Sequence, residues 1–302
     1  MIVYKELSSL CDDLGFTSRA LYTASNSVYK HYHDIEIPKG NEETRLLHIP
    51  DDFMKSIQKS ILDNILVFEP ISPYAKAYRI GGSTKSNAAP HVGMPVVMKC
   101  DIRKFFDHIT FPMLRDKVFP ESRFSRSNSI LLSALCVYED SIPQGAPTSP
   151  AVSNIILRGF DDRVGSWCED RNITYTRYCD DMTFSGSFVP CELKQFVEKE
   201  LFREGFFLNH DKTVVLHQGQ RIEITGIVVN EKISIPKFYK KSIRQEIYYC
   251  QKYGIASHIE KKELSESVDS YKKKLLGRLN YILSVEPGND EIMDYKSWLK
   301  EQ

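Results

Sequence analysis

The stretch 177-RYCDDMTFSG-186 sets two adjacent aspartates, Asp180 and Asp181, inside a run that otherwise reads as buried β-strand. Neighbouring carboxylates repel, and burying either one without a partner costs several kcal/mol. A divalent cation removes that cost, and so does solvent exposure at a turn. Three other such pairs occur in the chain. Asp12-Asp13 and Asp51-Asp52 sit where helices can start, with carboxylates capping the free N–H groups. Asp161-Asp162 lies in a segment of helical periodicity and reads as a solvated face. Only Asp180-Asp181 has strand formers on both sides: Ile173, Tyr175 and Tyr178 before, Met182 and Phe184 after. That pattern predicts a hairpin over 173–184 with the aspartates at its turn.

Working outward, the 302 residues suffice for a sizeable core and one or two domains. Forty Lys+Arg balance 40 Asp+Glu, which argues against a simple basic nucleic-acid binder. The charge is unevenly spread: residues 236–282 hold 11 Lys+Arg against 5 Asp+Glu, so 11 − 5 = +6. An amphipathic helical run of that kind either follows a phosphate backbone or is a solvated face. The seven cysteines form no C-x-x-C pair, so no zinc site is read. With no apolar signal segment at the N-terminus, they read as free thiols in a reducing cytosol. No apolar run approaches the roughly 20 residues of a membrane span.

Residues 1–70 read as mostly helical, and 80-IGGSTKSNAAPH-91 as irregular. Then 96-VVMKCDIRKFFDHI-109 is an apolar strand that ends at Asp101 and turns toward a helix. Helices are expected over 125–138, 151–170 and 192–204, with 141-SIPQGAPTSP-150 a loop. Strands near 206–216 and a hairpin in 221-RIEITGIVVNEKISI-235 follow, and the rest is helical. That order suits an α+β fold, a sheet covered by helices on one face. If the strands bearing Asp101 and Asp180-Asp181 are neighbours, three carboxylates converge at the sheet edge. Hard oxygen ligands at that density suit Mg²⁺. Two such ions, roughly 3.5–4 Å apart, clamp the oxygens of an in-line phosphoryl transfer. The other reading is an Asp-capped turn and an unrelated strand-end aspartate.

Four motifs in order along the chain resemble those of the reverse transcriptases. They are Tyr178-Cys179-Asp180-Asp181, Asp101 with Phe106 five residues later, the loop 142-IPQGAPTSP-150, and 205-GFFLNHDKT-213. The resemblance implies a right-hand polymerase fold: helical fingers over 1–95, a palm with an antiparallel sheet over 96–235, and a helical thumb over 236–302. It implies RNA-directed DNA polymerase activity with two Mg²⁺ ions held by Asp101, Asp180, Asp181 and the backbone carbonyl of Ile102. Phe106 is then the sugar gate that leaves no room for a 2′-OH. Gln144 and Gly145 meet the incoming deoxynucleoside triphosphate, and Lys212 protonates the pyrophosphate leaving group. Lys76, Arg79 and Lys85 are candidates for the triphosphate, with Arg79 favoured because its planar fork matches phosphate oxygens.

Within that family, 87-NAAPH-91 and 224-ITG-226 are similar to the N-A-x-x-H and V-T-G elements of retron reverse transcriptases, with Ile in place of Val. This resemblance implies RNA-contacting roles for Asn87, His91, Thr225 and Gly226. It implies a cognate structured non-coding RNA, priming from a guanosine 2′-OH, and a branched RNA–DNA product (msDNA) that stays bound. It also implies a separate effector protein in antiphage defence, in the bacterial cytoplasm and without a membrane partner. Cys179 stands where Ala or Val is commoner. Two basic clusters extend the expected RNA surface into the thumb: Lys240, Lys241 and Arg244 beside Tyr239, Tyr248 and Tyr249, and Lys272, Lys273 and Lys274 beside Tyr271. The alternatives are an intron-type, diversity-generating or abortive-infection reverse transcriptase, an RNA-dependent RNA polymerase, which the aromatic at 106 disfavours, or an inactive RNA-binding scaffold.

Overall fold

The computed structural model describes residues 3–38 and 44–302. The chain divides into two compact units. One comprises the residues up to Gly82, Met98–Phe184 and Phe188–Val215; the other comprises Ser83–Val97, Ser185–Ser187 and Leu216–Gln302. Each unit has its own apolar core.

The first unit opens with helices α1 (Leu7–Leu14) and α2 (Ser18–Asn26), a hairpin of β1 (Tyr32–Pro38) and β2 (Thr44–Pro50), and α3 (Asp52–Asn64). After α4 (Thr84–Ala88), which belongs to the second unit, come β3 (Val96–Ile102), a single turn α5 (Phe111–Met113), α6 (Arg126–Cys136) and α7 (Ser149–Glu169). Then follow β4 (Thr174–Tyr178), β5 (Asp181–Gly186), α8 (Pro190–Arg203) and β6 (Leu208–His217). The second unit continues with the two-residue strands β7 (Glu223–Ile224) and β8 (Ile227–Val228). Helices α9 (Lys237–Tyr253), α10 (Ile255–Lys261), α11 (Val268–Val285) and α12 (Asp290–Glu301) complete it.

The central sheet has the order β4-β5-β3-β6, so the strand ending near Asp101 lies directly beside the strand that begins at Asp181. β3 and β5 are almost wholly buried, polar Asp101, Thr183 and Ser185 included. α7 buries Val152, Ile156, Phe160 and Val164 at helical spacing, each stabilising the core by roughly 1.5–3 kcal/mol. All seven cysteines are free thiols. No helix among the described residues is long and apolar enough to cross a membrane.

Three expectations fail here. The helical reading of 1–70 breaks down over 32–50, where β1 and β2 pair with Ile35 opposite Leu47 and Ile37 opposite Arg45. The run 34-DIEI-37 alternates polar and apolar residues, a period of two that no helix accommodates. Asp12 and Asp13 lie in the last turn of α1, not at its start, and Asp13 accepts a hydrogen bond from the Tyr4 hydroxyl (2.5 Å). Asp161 is not solvated at all: it is fully buried in α7. Asp51 does cap α3, accepting from the Met54 N–H at 2.8 Å.

Candidate active site

β4 and β5 are joined by two residues, Cys179 and Asp180. Such a turn between twisted strands wants a left-handed residue, and Cys179 supplies it at φ 60°. A left-handed non-glycine residue costs roughly 1–2 kcal/mol, so neighbouring contacts must hold it. Arg177, fully buried, donates from Nη1 to the Cys179 carbonyl (2.9 Å), and from Nε and Nη2 to the two oxygens of Asp161 (2.8 and 2.6 Å). The Tyr175 hydroxyl donates to the same carboxylate at 2.8 Å. Burial works against the Arg177 charge, but Asp161 outweighs it and the guanidinium pKa rises. On the other side the Tyr78 hydroxyl lies 3.5 Å from Cys179 Sγ. Burial pushes that thiol up to about 12, so Cys179 is a neutral packing group.

The Ile102 N–H donates to the Asp180 carbonyl (3.1 Å), tying β3 to the turn. Asp101, 5% exposed, accepts from Asn209 Nδ2 (2.8 Å) and from Lys212 Nζ (2.9 Å). That bond to Asp101 raises the Lys212 pKa, and the lysine stays charged. Asp181 reaches solvent, yet its carboxyl is pushed up to about 6 by partial desolvation, then by Asp180 and Asp101; Lys99 and Lys212 work the other way. Asp181 therefore feels the charge of both Asp180 and Asp101. Among the described residues no three His, Cys, Asp or Glu side chains are grouped closely enough to hold a metal, and Asp101 is bound instead to Asn209 and Lys212. The donor chemistry fits a divalent cation: the oxygen ligands are hard, and their mutual repulsion is relieved by positive charge.

Of the residues expected to meet a nucleotide, Phe106 is half-buried with its ring edge-on to Phe105, centroids 5.4 Å apart. Gln144 is exposed in the loop before α7. Gly145 is required there, because a Cβ would stand 2.5 Å from the His48 carbonyl oxygen of β2. Arg79 is exposed, but its Nη1 is shared between the Ser72 and Ala75 carbonyls (3.2 Å each). Burial, and then Arg79, lower the Lys76 pKa. Lys85 lies in the second unit and donates to the Ser284 carbonyl at 2.8 Å.

The second unit corrects several RNA-contact expectations. Asn87 and His91 are buried, so neither presents a side chain to RNA. Asn87 Nδ2 donates to Thr225 Oγ1 (3.4 Å), which donates on to the Thr84 carbonyl (3.3 Å). His91 Nδ1 lies 2.6 Å from Ser185 Oγ. Thr225 and Gly226 form the tight β7–β8 turn, with φ of 45° and 79°. A β-branched residue rarely adopts that conformation, and the bonds to Asn87 and Thr84 hold it there. Asn87 and His91 shape the unit from within, while Thr225 is half-buried and Gly226 exposed at the turn. Of the basic clusters, Lys240 pairs with Glu286 (2.9 Å), Arg244 with Glu291 (2.6 Å) and Lys274 with Glu266 (2.7 Å). Lys241 and Lys273 are exposed, Lys272 is half-exposed, and Tyr248 is 54% exposed. Tyr271 is a core residue whose hydroxyl donates to Glu246, so it stacks on no base.

Sequence reasoning missed Asp161, Arg177 and Asn209. One signal existed: an arginine inside a strand that is otherwise buried needs a carboxylate, and few carboxylates sit in apolar periodicity.

Residues 37–229 match the family described as reverse transcriptase (RNA-dependent DNA polymerase). Retron Mx65 reverse transcriptase of Myxococcus xanthus is 30% identical over 281 residues, 87% of this chain and 63% of that protein. Retron Ec86 reverse transcriptase of Escherichia coli is 29% identical over 89% of this chain and 80% of its own length. Retron Ec83 reverse transcriptase of Escherichia coli is 28% identical over 88% and 86%.

Proposed function

The chain belongs to the reverse transcriptase (RNA-dependent DNA polymerase) family, whose α+β fold it has, and we propose that it is the RNA-directed DNA polymerase of a retron. The observation that carries this reading is the adjacency of the strands bearing Asp101 and Asp181, close enough for Asp181 to feel Asp101 and Asp180, with Lys212 bound to Asp101. On this reading 1–95 are fingers, 96–235 palm and 236–302 thumb. Asp101, Asp180, Asp181 and the Ile102 carbonyl would hold two Mg²⁺ ions, which supply Lewis-acid activation and charge neutralisation for phosphoryl transfer. Lys212, kept charged by Asp101, would hold a proton for the departing pyrophosphate, a role its raised pKa supports. Gln144 and the Gly145 backbone position the deoxynucleoside triphosphate, and Arg79 is the fingers' phosphate ligand.

The template is a cognate structured RNA, primed from its own 2′-OH. The branched RNA–DNA product stays bound in the bacterial cytoplasm, where a separate effector uses it in antiphage defence. Exposed Lys241 and Lys273, with Lys272 and Tyr248, make the thumb's RNA surface. Lys240, Arg244 and Lys274 join it only by exchanging carboxylate partners for phosphates. Sequencing the nucleic acid that copurifies with the protein tests this. One structured RNA covalently joined to DNA is expected; a mixture of host RNAs without DNA overturns the retron reading.

Phe106 supplies a second test. Truncation to alanine removes a half-buried ring and opens space beside the sugar. Discrimination against ribonucleotides, read by single-nucleotide extension, should fall on the order of 10–100-fold, because a steric pocket separates close analogues by about that much. Unchanged discrimination would make Phe106 core packing only.

A further inference from the structure

Gln195, Glu198, Lys199 and Phe202 recur at intervals of three and four along α8 and so share one face. That face is one wall of a groove of about 750 Å³, closed on the other side by the 103–108 turn and the first residues of β6. Buried Phe206 and Leu208 also line it. Phe202 and Phe207 remain 69% and 46% exposed, with their rings 6.2 Å apart, and the His108 ring lies 5.4 Å from Phe207. Adjacent exposed aromatics at a concavity mark a binding surface more than they mark scattered surface residues. The charge is one-sided as well. Arg103, Lys104 and Lys199 stand around the groove, while its carboxylate, Glu198, is paired to His210 at 3.0 Å. Lys104 also holds a left-handed backbone (φ 46°), which a lysine adopts only at a cost.

Among the described residues Arg103, Lys104 and Lys199 form no ion pair, and cations so left among open ring faces fit one ligand chemistry. We infer that this groove binds an unpaired stretch of RNA, its bases stacked on Phe202 and Phe207 and its phosphates on Arg103, Lys104 and Lys199. An acidic peptide would satisfy the cations but has no π-faces to cover the phenylalanines. The Gln195 amide offers both donor and acceptor to a 2′-hydroxyl, which favours RNA over DNA. The inference rests on the polymerase reading only for where the RNA comes from. The groove shares no residue with the Asp101, Asp180 and Asp181 constellation.

The test is fluorescence anisotropy of a labelled oligouridine 12-mer on the full chain. Phe202→Ala with Phe207→Ala should weaken binding by about tenfold or more, the loss expected when stacking on both rings goes. Lys199→Gln should lower the salt slope by roughly 0.7, one phosphate contact for a single strand. Both phenylalanines are exposed, so an unchanged melting temperature verifies folding. Extension of a short annealed primer should be unaltered. If wild-type extension is itself absent while RNA binding still depends on Phe202 and Phe207, the polymerase reading fails and the groove stands. Unchanged RNA affinity in the double variant overturns the inference. So does an equal loss for oligothymidine, which would assign the groove to DNA, and so does binding of polyglutamate in place of RNA.

Discussion

Primer extension by the Asp180→Asn protein is expected to fall on the order of 10³-fold or more, with the fold and RNA binding retained. The carboxylate lies at a turn whose backbone is fixed from two sides, by Ile102 to the Asp180 carbonyl and by Arg177 to the Cys179 carbonyl. Asparagine leaves those bonds in place, so chemistry is lost without architecture. Asp181→Asn should lose activity similarly, and it carries a stability signature of its own. A carboxyl whose pKa is raised by folding costs nothing below its unfolded value near 4. Its cost grows as pH rises through about 6 and is complete above that. Neutralising it should therefore stabilise the metal-free protein above pH 6, and the gain should vanish by about pH 4. Because Asp181 reaches solvent, screening reduces the effect. A rise of roughly 2–4 °C in melting temperature at pH 7.5 in EDTA is expected. Near wild-type extension by either variant would refute the two-metal reading. An Asp181→Asn melting temperature unchanged at both pH values would refute the repulsion.

The hairpin that carries Asp180 and Asp181 was legible because its information is local. Two carboxylates between strand formers force a turn, and the strand formers on either side fix the strands. The long apolar helix α7 and the proline-rich loop before it were legible for the same reason. What escaped was decided by partners distant in sequence. Asp161 falls at the helical spacing of buried Leu157, Val164 and Cys168, and it is the carboxylate itself that reads as solvated until Arg177, sixteen residues later and on another element, explains its burial. Asn87 and Thr225 are 138 residues apart, and each alone resembles a loop residue. The β1–β2 hairpin was misread for a different reason. Its strands are mostly exposed, so no buried stripe announces them, and the alternation in 34-DIEI-37 is short.

The buried pair beneath the turn yields the other large effect. Arg177→Met leaves the Asp161 charge inside the core with the Tyr175 hydroxyl still donating to it but no cation beside it, which should destabilise the fold by roughly 3–5 kcal/mol. At about 2–4 °C per kcal/mol the melting temperature drops by on the order of 10 °C. Removing both charges, as Arg177→Met with Asp161→Leu, should recover most of that loss, because an apolar pair of similar volume replaces a desolvated ion pair. Activity should not recover with it. The Cys179 carbonyl then has no guanidinium to hold it, and the left-handed turn that presents Asp180 is free to relax. Misplacing a reacting group by about an ångström costs on the order of 10²-fold in rate. The double variant should accordingly show a lower kcat with KM for the nucleotide nearly unchanged. If it extends primers at the wild-type rate, Arg177 serves stability alone. If the single variant melts like the wild type, the pair is not the support that its burial and three hydrogen bonds indicate. The expected split, stability restored and turnover lost, would place Arg177 as the residue that converts a buried charge into the position of a catalytic carboxylate.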